Sequence, residues 1–247
     1  MKFLITGSRG FIGRNIALRL SEISDVEVLS FNRDDSLDQL LQLLHQSDAI
    51  FHLAGEMRPL SIDSFLSSNV GLTKSICDGI RASQRKIPLI FSSSLQADTS
   101  NPYGVSKYQG EVMLEALSMD TGNPCVIYRL PHVFGKWCKP NYNSVIATFC
   151  HNIARGIPIT INDPNAIIFP VHVDDVVNGF IDSILHPVDG LQFKKIAPEY
   201  LITVGELARI ITSFRGKQND LISEYVEPGL VEALYSTYLT YLPPREI

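Results

Sequence analysis

The sequence predicts an α/β fold, a doubly wound parallel sheet with a small C-terminal lobe, and three observations predict it. Short apolar runs alternate with helical patterns through the first half of the chain. The first run, Lys2-Phe3-Leu4-Ile5-Thr6, passes at once into Gly7-Ser8-Arg9-Gly10-Phe11-Ile12-Gly13 and then into the helical repeat Ile16, Leu18, Leu20. With 247 residues and 45% hydrophobic content, the chain can also bury a sizeable core.

The glycine loop suits a dinucleotide. Glycines let the backbone turn tightly and approach a pyrophosphate, whose charge meets the amides and positive end of the following helix. The second strand, Val26 to Phe31, ends without the acid that commonly binds an adenosine ribose; Asn32 and Arg33 stand there instead. A guanidinium with a neutral neighbour favours the ribose phosphate of NADP over NAD, although Asp34 and Asp35 follow directly and pull the other way. Ser36 and Gln39 form a capping box opening a helix from Leu37 to Leu44. Ala49 to Gly55 reads as a buried strand whose end, Leu53-Ala54-Gly55, lets a nucleotide lie against backbone, and His52 reads as a core histidine rather than a catalytic one. Helical material follows over Ile62 to Ser83, and the strand Pro88 to Phe91 delivers Ser92, Ser93 and Ser94.

The reaction chemistry is expected at Ser94, Tyr103 and Lys107. Pro102 opens a helix running to Thr121, so Tyr103 and Lys107 lie one turn apart on one face. An ammonium near a phenol is expected to lower the phenol pKa and tune it for proton exchange with a carbonyl oxygen, which Ser94 would also hydrogen-bond. The trio suits carbonyl reduction or alcohol oxidation with a nicotinamide hydride. The next strand, Cys125 to Arg129, ends at Leu130-Pro131-His132-Val133-Phe134-Gly135, where Pro131 and Val133 are expected to wall a nicotinamide pocket and His132 faces either substrate or structure.

Further along, Lys136 and Lys139 could neutralise a diphosphate and Asn141 or Asn143 could bond an amide or base edge; the alternative is an exposed loop with solvated lysines. A helix is expected over Ser144 to Arg155, strands over Ile157 to Ile161 and Ile167 to Pro170, and a helix from Val176 anchored by Asp174 and Asp175. Thr203 to Glu206 caps another helix, which with Gly229 to Thr237 builds the C-terminal lobe.

Composition narrows the classes. There are 21 basic against 26 acidic residues, net −5, with no extended basic stretch, which argues against nucleic acid as a partner. No segment reaches membrane-spanning length or reads as a signal peptide, so the expectation is a cytoplasmic protein without a membrane partner. Cys77, Cys125, Cys138 and Cys150 lack CxxC spacing and read as reduced structural thiols, and no metal site is visible.

The loop Gly7/Gly10/Gly13, Ser94, the Tyr103/Lys107 pair and Val171-His172-Val173-Asp174-Asp175 together resemble the extended short-chain dehydrogenases/reductases that act on nucleotide sugars. That resemblance implies a Rossmann sheet with residues 1-130 plus 167-186 binding NADP and residues 131-166 plus 187-247 binding the nucleotide sugar. It also implies a homodimer through helices at 69 to 83 and 103 to 120. At Ile168 the chain departs from the many members that place an arginine there to grip the sugar nucleotide.

The segments Phe134 to Cys150 and Leu234 to Pro243 resemble the reductase half of bifunctional capsular-polysaccharide enzymes of CapF type. What this implies is NADPH-dependent reduction of the 4-keto group of a UDP-2-acetamido-2,6-dideoxy-hexos-4-ulose, a UDP-linked 4-keto-6-deoxy-N-acetylhexosamine, to UDP-2-acetamido-2,6-dideoxy-L-talose in capsule or O-antigen precursor synthesis. Such enzymes continue into a metal-binding cupin domain that epimerises the sugar. This chain stops at Ile247, so reduction without epimerisation is expected, by either a fragment or a stand-alone reductase. The rival readings are a nucleotide-sugar 4-epimerase or dehydratase, for which Leu95 and Gln96 offer no acid beside Ser94, and a non-catalytic NADP-binding regulatory subunit.

Overall fold

The computed structural model describes residues 1–57, 66–215 and 228–243. They fall into two compact units, Met1–Leu130 with Val177–Ile196, and Pro131–Val176 with the residues from Ala197 onward.

The first unit is built on a six-stranded sheet. Its strands are β1 (Lys2–Thr6), β2 (Glu27–Phe31), β3 (Ala49–His52), β4 (Leu89–Ser94), β5 (Cys125–Leu130) and β9 (Leu191–Lys194), in the order β2-β1-β3-β4-β5-β9, every pair parallel. Parallel strands covered on both faces read as continuous apolar runs, as β1, β3, β5 and the first half of β4 do. On one face Leu4, Ile50, Leu89, Phe91 and Ile127 join Leu40 and Leu44 of α2 (Leu37–Gln46), Ile76 and Ile80 of α3 (Leu72–Ser83), and Leu114 and Leu117 of α4 (Pro102–Thr121) in one buried cluster. Residues of the alternate register, Phe3, Ile5, Phe51 and Tyr128, are buried too, as are Ile16 and Leu20 of α1 (Phe11–Ser21). The Tyr128 ring lies 4.7 Å from that of Phe180 in α6 (Val173–Leu185), and its hydroxyl donates to the Gly179 carbonyl at 2.9 Å.

The local signals act as read. Ser36 and Gln39 make both bonds of the capping box. Asn101 caps α4 by accepting from the Gly104 amide, Pro102 occupies the first turn, and Gly122 ends the helix at φ 67°. The serines 92–94 lie inside β4 rather than after it, because their backbones continue the ladder to Tyr128, Arg129 and Leu130. Of the helical material expected over 62–83, residues 66–71 form a π-helical turn leading into α3, and 62–65 lie outside the described residues. Residues 191–194, assigned from sequence to sugar-binding segments, pair instead with β5 as the sheet edge. The strand is short and only partly covered, which leaves little apolar pattern to read.

The second unit contains the parallel pair β6 (His132–Phe134) and β8 (Pro170–His172), the antiparallel pair β7 (Ile167–Ile168) and β10 (Ile202–Thr203), and helices α5 (Val145–Arg155), α7 (Val204–Arg215) and α8 (Pro228–Leu239). Two expectations are corrected. Residues 157–161 form no strand: Ile157 is exposed and Pro158 has no N–H to give a ladder. Helix α6 begins at Val173, so Asp174 and Asp175 sit within its first turn rather than ahead of it, where their charge complements the positive helix end.

Candidate active site

The glycine loop is shaped by backbone contacts. Gly7 has φ +74°, and a Cβ there would come within 3.0 Å of the Ala54 Cα, so the ends of β1 and β3 approach more closely than a side chain permits. At Gly13 a Cβ would meet the Gly7 carbonyl oxygen at 2.3 Å, which brings the first turn of α1 against the loop. Gly10 precedes Phe11 and Ile12, the first residues of that helix, and no side chain caps it, so its first amides remain directed at the loop. The close backbone packing at Gly7 and Gly13 and the uncapped start of α1 together form a cradle whose free amides fit a dinucleotide pyrophosphate.

A cleft of about 530 Å³ opens beside the loop, lined by Gly7, Arg9, Asn32, Arg33, Gly55 and Glu56 among others. Asn32 is a fixed wall: its side chain exchanges bonds with the Ser8 hydroxyl and accepts from the Arg9 amide at 3.0 Å, while its own amide donates to Asp35 at 2.7 Å. Arg33 pairs with Glu56 at 3.0 Å, and Arg9 with Asp34 at 3.4 Å.

Beneath the cleft lies a polar chain that sequence reasoning saw only at His52. The Thr73 hydroxyl donates to the Asn69 carbonyl at 2.8 Å and lies 2.8 Å from His52 Nε2, so it accepts there and the ring carries its proton on Nε2. His52 Nδ1 therefore accepts from Thr6, whose oxygen accepts in turn from the amides of Leu53 and Ala54. Burial first, and the Lys107 charge second, push the His52 pKa down to about 3, in keeping with a neutral ring. Asn69 clamps the cleft wall, accepting from the Glu56 amide and donating to the Glu56 carbonyl and to Ser106 of α4.

The structure brings Ser94, Tyr103 and Lys107 together at the carboxyl end of β4. The Ser94 side chain hydrogen-bonds the Tyr103 phenol and accepts from the Gln96 amide at 3.1 Å. Lys107 is buried, donates to the Ser92 carbonyl at 2.8 Å and lies 5.9 Å from the centre of the Tyr103 ring. A Cβ on Gly55 would come within 3.0 Å of the Lys107 ammonium, so cleft and trio meet at this residue.

One electrostatic expectation is reversed. Burial raises the Tyr103 pKa, and the Ser94 bond offsets this only in part, so the phenol holds its proton more firmly than a free tyrosine. Lys107 spends its directed bond on Ser92, and burial lowers its own pKa to about 8 against the opposing pull of Glu111.

Glu111, one turn beyond Lys107, was not singled out from sequence, since an acid on a long helix ordinarily faces water. Here it is buried, accepting from Ser93 and from both Arg129 Nε at 2.9 Å and Nη2 at 2.6 Å. Arg129 also reaches Asp98 at 2.6 Å, tying the turn after Ser94 to β5.

In the second unit, Val133 pairs with Val171, Pro131 is half-buried and His132 is exposed. Lys136, Lys139, Asn141 and Asn143 are exposed on one segment, with the lysine ammoniums 4.2 Å from the Trp137 ring centre and 5.1 Å from that of Tyr142. His172 lies 3.6 Å from Asp174 and meets the Phe134 ring edge-on. All four cysteines are free and buried. Among the described residues no His/Cys/Asp/Glu cluster could hold a metal, and no helix is long and apolar enough to cross a membrane.

The sequence pattern of the NAD dependent epimerase/dehydratase family matches residues 3–197. The chain belongs to this family. Within it, the chain is 46% identical over 243 residues to a Pseudomonas aeruginosa UDP-2-acetamido-2,6-beta-L-arabino-hexul-4-ose reductase, covering 98% of this chain and 65% of that relative. The capsular polysaccharide assembling protein CapF from Staphylococcus aureus superposes with a TM-score of 0.84 at 35% identity, over 98% of this chain and 65% of its own. A UDP-glucuronic acid 4-epimerase from Bacillus cereus in complex with NAD, at 18% identity and a TM-score of 0.82 over 98% of both chains, shares the fold. The resemblance to CapF-type reductases read from the motifs therefore holds, while the chain spans about two thirds of the length of the P. aeruginosa and CapF proteins.

Proposed function

We propose that this chain is a nucleotide-sugar 4-ketoreductase that uses NADPH to convert a UDP-2-acetamido-2,6-dideoxy-hexos-4-ulose into UDP-2-acetamido-2,6-dideoxy-L-talose, a step toward capsule or O-antigen precursors. The observation that carries it is the trio at the end of β4: a phenol that keeps its proton, hydrogen-bonded to a serine hydroxyl, in a chain 46% identical to a UDP-sugar reductase.

The Gly7 to Gly13 loop would hold the pyrophosphate of the cofactor, Asn32 and Arg33 its adenosine end, and Leu53, Ala54, Gly55 and Ser92 its path toward Lys107. When bound, the reduced nicotinamide supplies a hydride. Tyr103 gives its phenolic proton to the keto oxygen, so the carbonyl gains a hydrogen at carbon and one at oxygen and becomes a hydroxyl. Ser94 bonds the same oxygen and holds it in line with the phenol. Lys107 favours the phenolate left behind, which recovers its proton from water. The phenol enters the step protonated, as a tyrosine does near neutral pH, and burial raises its pKa further. Lys136, Lys139, Asn141, Asn143 and His132 are proposed to contact the sugar nucleotide, with the exposed lysine heads suited to phosphate.

A dehydratase finds no acid at Leu95 or Gln96, and an epimerase would regenerate its cofactor each turnover. Pairing of two copies through α3 and α4 is supported by the exposed apolar side chains Val105, Tyr108, Val112 and Met119 along α4. The test is stoichiometry: one NADPH oxidised for each 4-keto sugar consumed supports the reductase, and consumption of sugar with no net oxidation overturns it.

A further inference from the structure

We infer that Glu56 is a built-in counter-ion for Arg33 that limits how strongly the cleft favours a phosphorylated cofactor, making this acid a specificity-determining residue. The inference rests on the NADPH reading above and concerns the same cleft.

Among the described residues, the charged side chains on the cleft are Arg9, Arg33, Asp34 and Glu56, two of each sign. They form pairs, Arg9 with Asp34 at 3.4 Å and Arg33 with Glu56 at 3.0 Å. The pairs differ in environment: the Asp34 carboxylate is 83% exposed and that of Glu56 only 21%. Water and salt screen the first, so it contributes little. The Glu56 carboxylate is more shielded, and the backbone that carries it is anchored, since Asn69 bonds both its amide and its carbonyl. Asp35 is taken up by the Asn32 amide and does not line the cleft.

A ribose 2′-phosphate carries nearly two negative charges and seeks the Arg33 guanidinium. It must displace the Glu56 carboxylate and then remain near it, so part of the attraction is lost to repulsion. Unphosphorylated NADH has no group to repel, and a carboxylate there can accept from its ribose hydroxyls. Glu56 thus lowers NADPH affinity while leaving NADH affinity unchanged or improved. The signal was hidden in sequence because the acid comes from the end of β3, one strand removed from the end of β2 where ribose specificity is normally read.

The test is direct binding of NADPH and NADH, by calorimetry or cofactor fluorescence, to the full chain and to Glu56→Gln and Arg33→Gln. Glutamine keeps the shape of Glu56, and the bonds to Asn69 are made by backbone, so the fold should hold; unchanged thermal melting of the free variant confirms this. Glu56→Gln is expected to tighten NADPH about five- to thirtyfold at low salt, with the gain shrinking at high salt and NADH changing less than about twofold or weakening. Arg33→Gln is expected to remove most of the preference. If the wild-type chain prefers NADPH but Glu56→Gln leaves its affinity within about twofold, the inference fails alone. A wild-type chain that binds NADH more tightly, while Glu56→Gln still tightens NADPH, overturns the cofactor reading and leaves the inference standing.

Discussion

Glu111 of α4 receives the Arg129 guanidinium of β5 through two bonds, at 2.9 and 2.6 Å, and sits one helical turn beyond Lys107. The same carboxylate accepts from Ser93, the neighbour of Ser94, so one buried acid ties together the strand and helix that carry the trio. Glu111→Ala removes two of the Arg129 guanidinium's bonds, leaving it Asp98, and strands the Ser93 hydroxyl, and should lower stability by about 2 to 3 kcal/mol in urea denaturation. Glu111→Gln, which keeps one acceptor, should lose less. A loss below about 1 kcal/mol for the alanine variant would show that the network is decorative.

Lys107 should cost stability in exchange for function. Its ordinary pKa of 10.5 falls to about 8 on burial, so between those values the unfolded chain binds more protons and stability rises with pH. Below about pH 8 the buried charge carries its full penalty, on the order of 3 kcal/mol. Lys107→Met should stabilise the fold at neutral pH by about 1 to 2 kcal/mol after loss of the bond to Ser92, flatten the alkaline rise, and abolish turnover. Denaturation at several pH values checks this, and a destabilised methionine variant would contradict it.

His52 works in the other pH window. With its pKa held near 3 against an ordinary 6.5, the ring stays neutral in the native state while the unfolded chain takes up a proton as pH falls below 6.5. Stability should therefore fall by up to about 1.4 kcal/mol per pH unit from this residue alone between those values. The ring signals of His52 in NMR should show the Nε2 tautomer and no titration above about pH 4. A midpoint near 6 would sink the assignment of the Thr6-His52-Thr73 chain.

Gly104 separates position from presence. A Cβ there would lie 2.0 Å from the Gln96 carbonyl, so Gly104→Ala must push the start of α4 away from the turn that follows Ser94. All three reactive groups survive, yet turnover should drop at least about tenfold because the Ser94 to Tyr103 bond is pulled apart. Crystal or NMR comparison with steady-state kinetics would test it, and unchanged kcat would show that this spacing is not demanding.

Much of this was legible in the sequence, and the reasons are physical. The glycine loop, the capping boxes at Ser36 and Thr203, and the Pro102 start are local features whose chemistry acts within four residues. Tyr103 and Lys107 share a helix, so helical spacing alone brought them to one face. What escaped was non-local. Glu111 looks solvent-facing until Arg129 arrives from β5, and Glu56 looks ordinary until Arg33 meets it. The β9 edge strand had too little apolar pattern, and the direction of the Tyr103 pKa depended on how deeply folding buries the phenol.

The central claim is that Tyr103 delivers the proton in a ketone reduction. The most direct measurement compares wild type and Tyr103→Phe for NADPH oxidation with a UDP-4-keto-6-deoxy-N-acetylhexosamine, alongside NADPH affinity. The account predicts turnover lower by about 10² to 10⁴ in the phenylalanine variant with cofactor binding within a few fold of wild type. Near-normal oxidation without the hydroxyl, or none by the wild-type chain when the keto sugar is supplied, would contradict it.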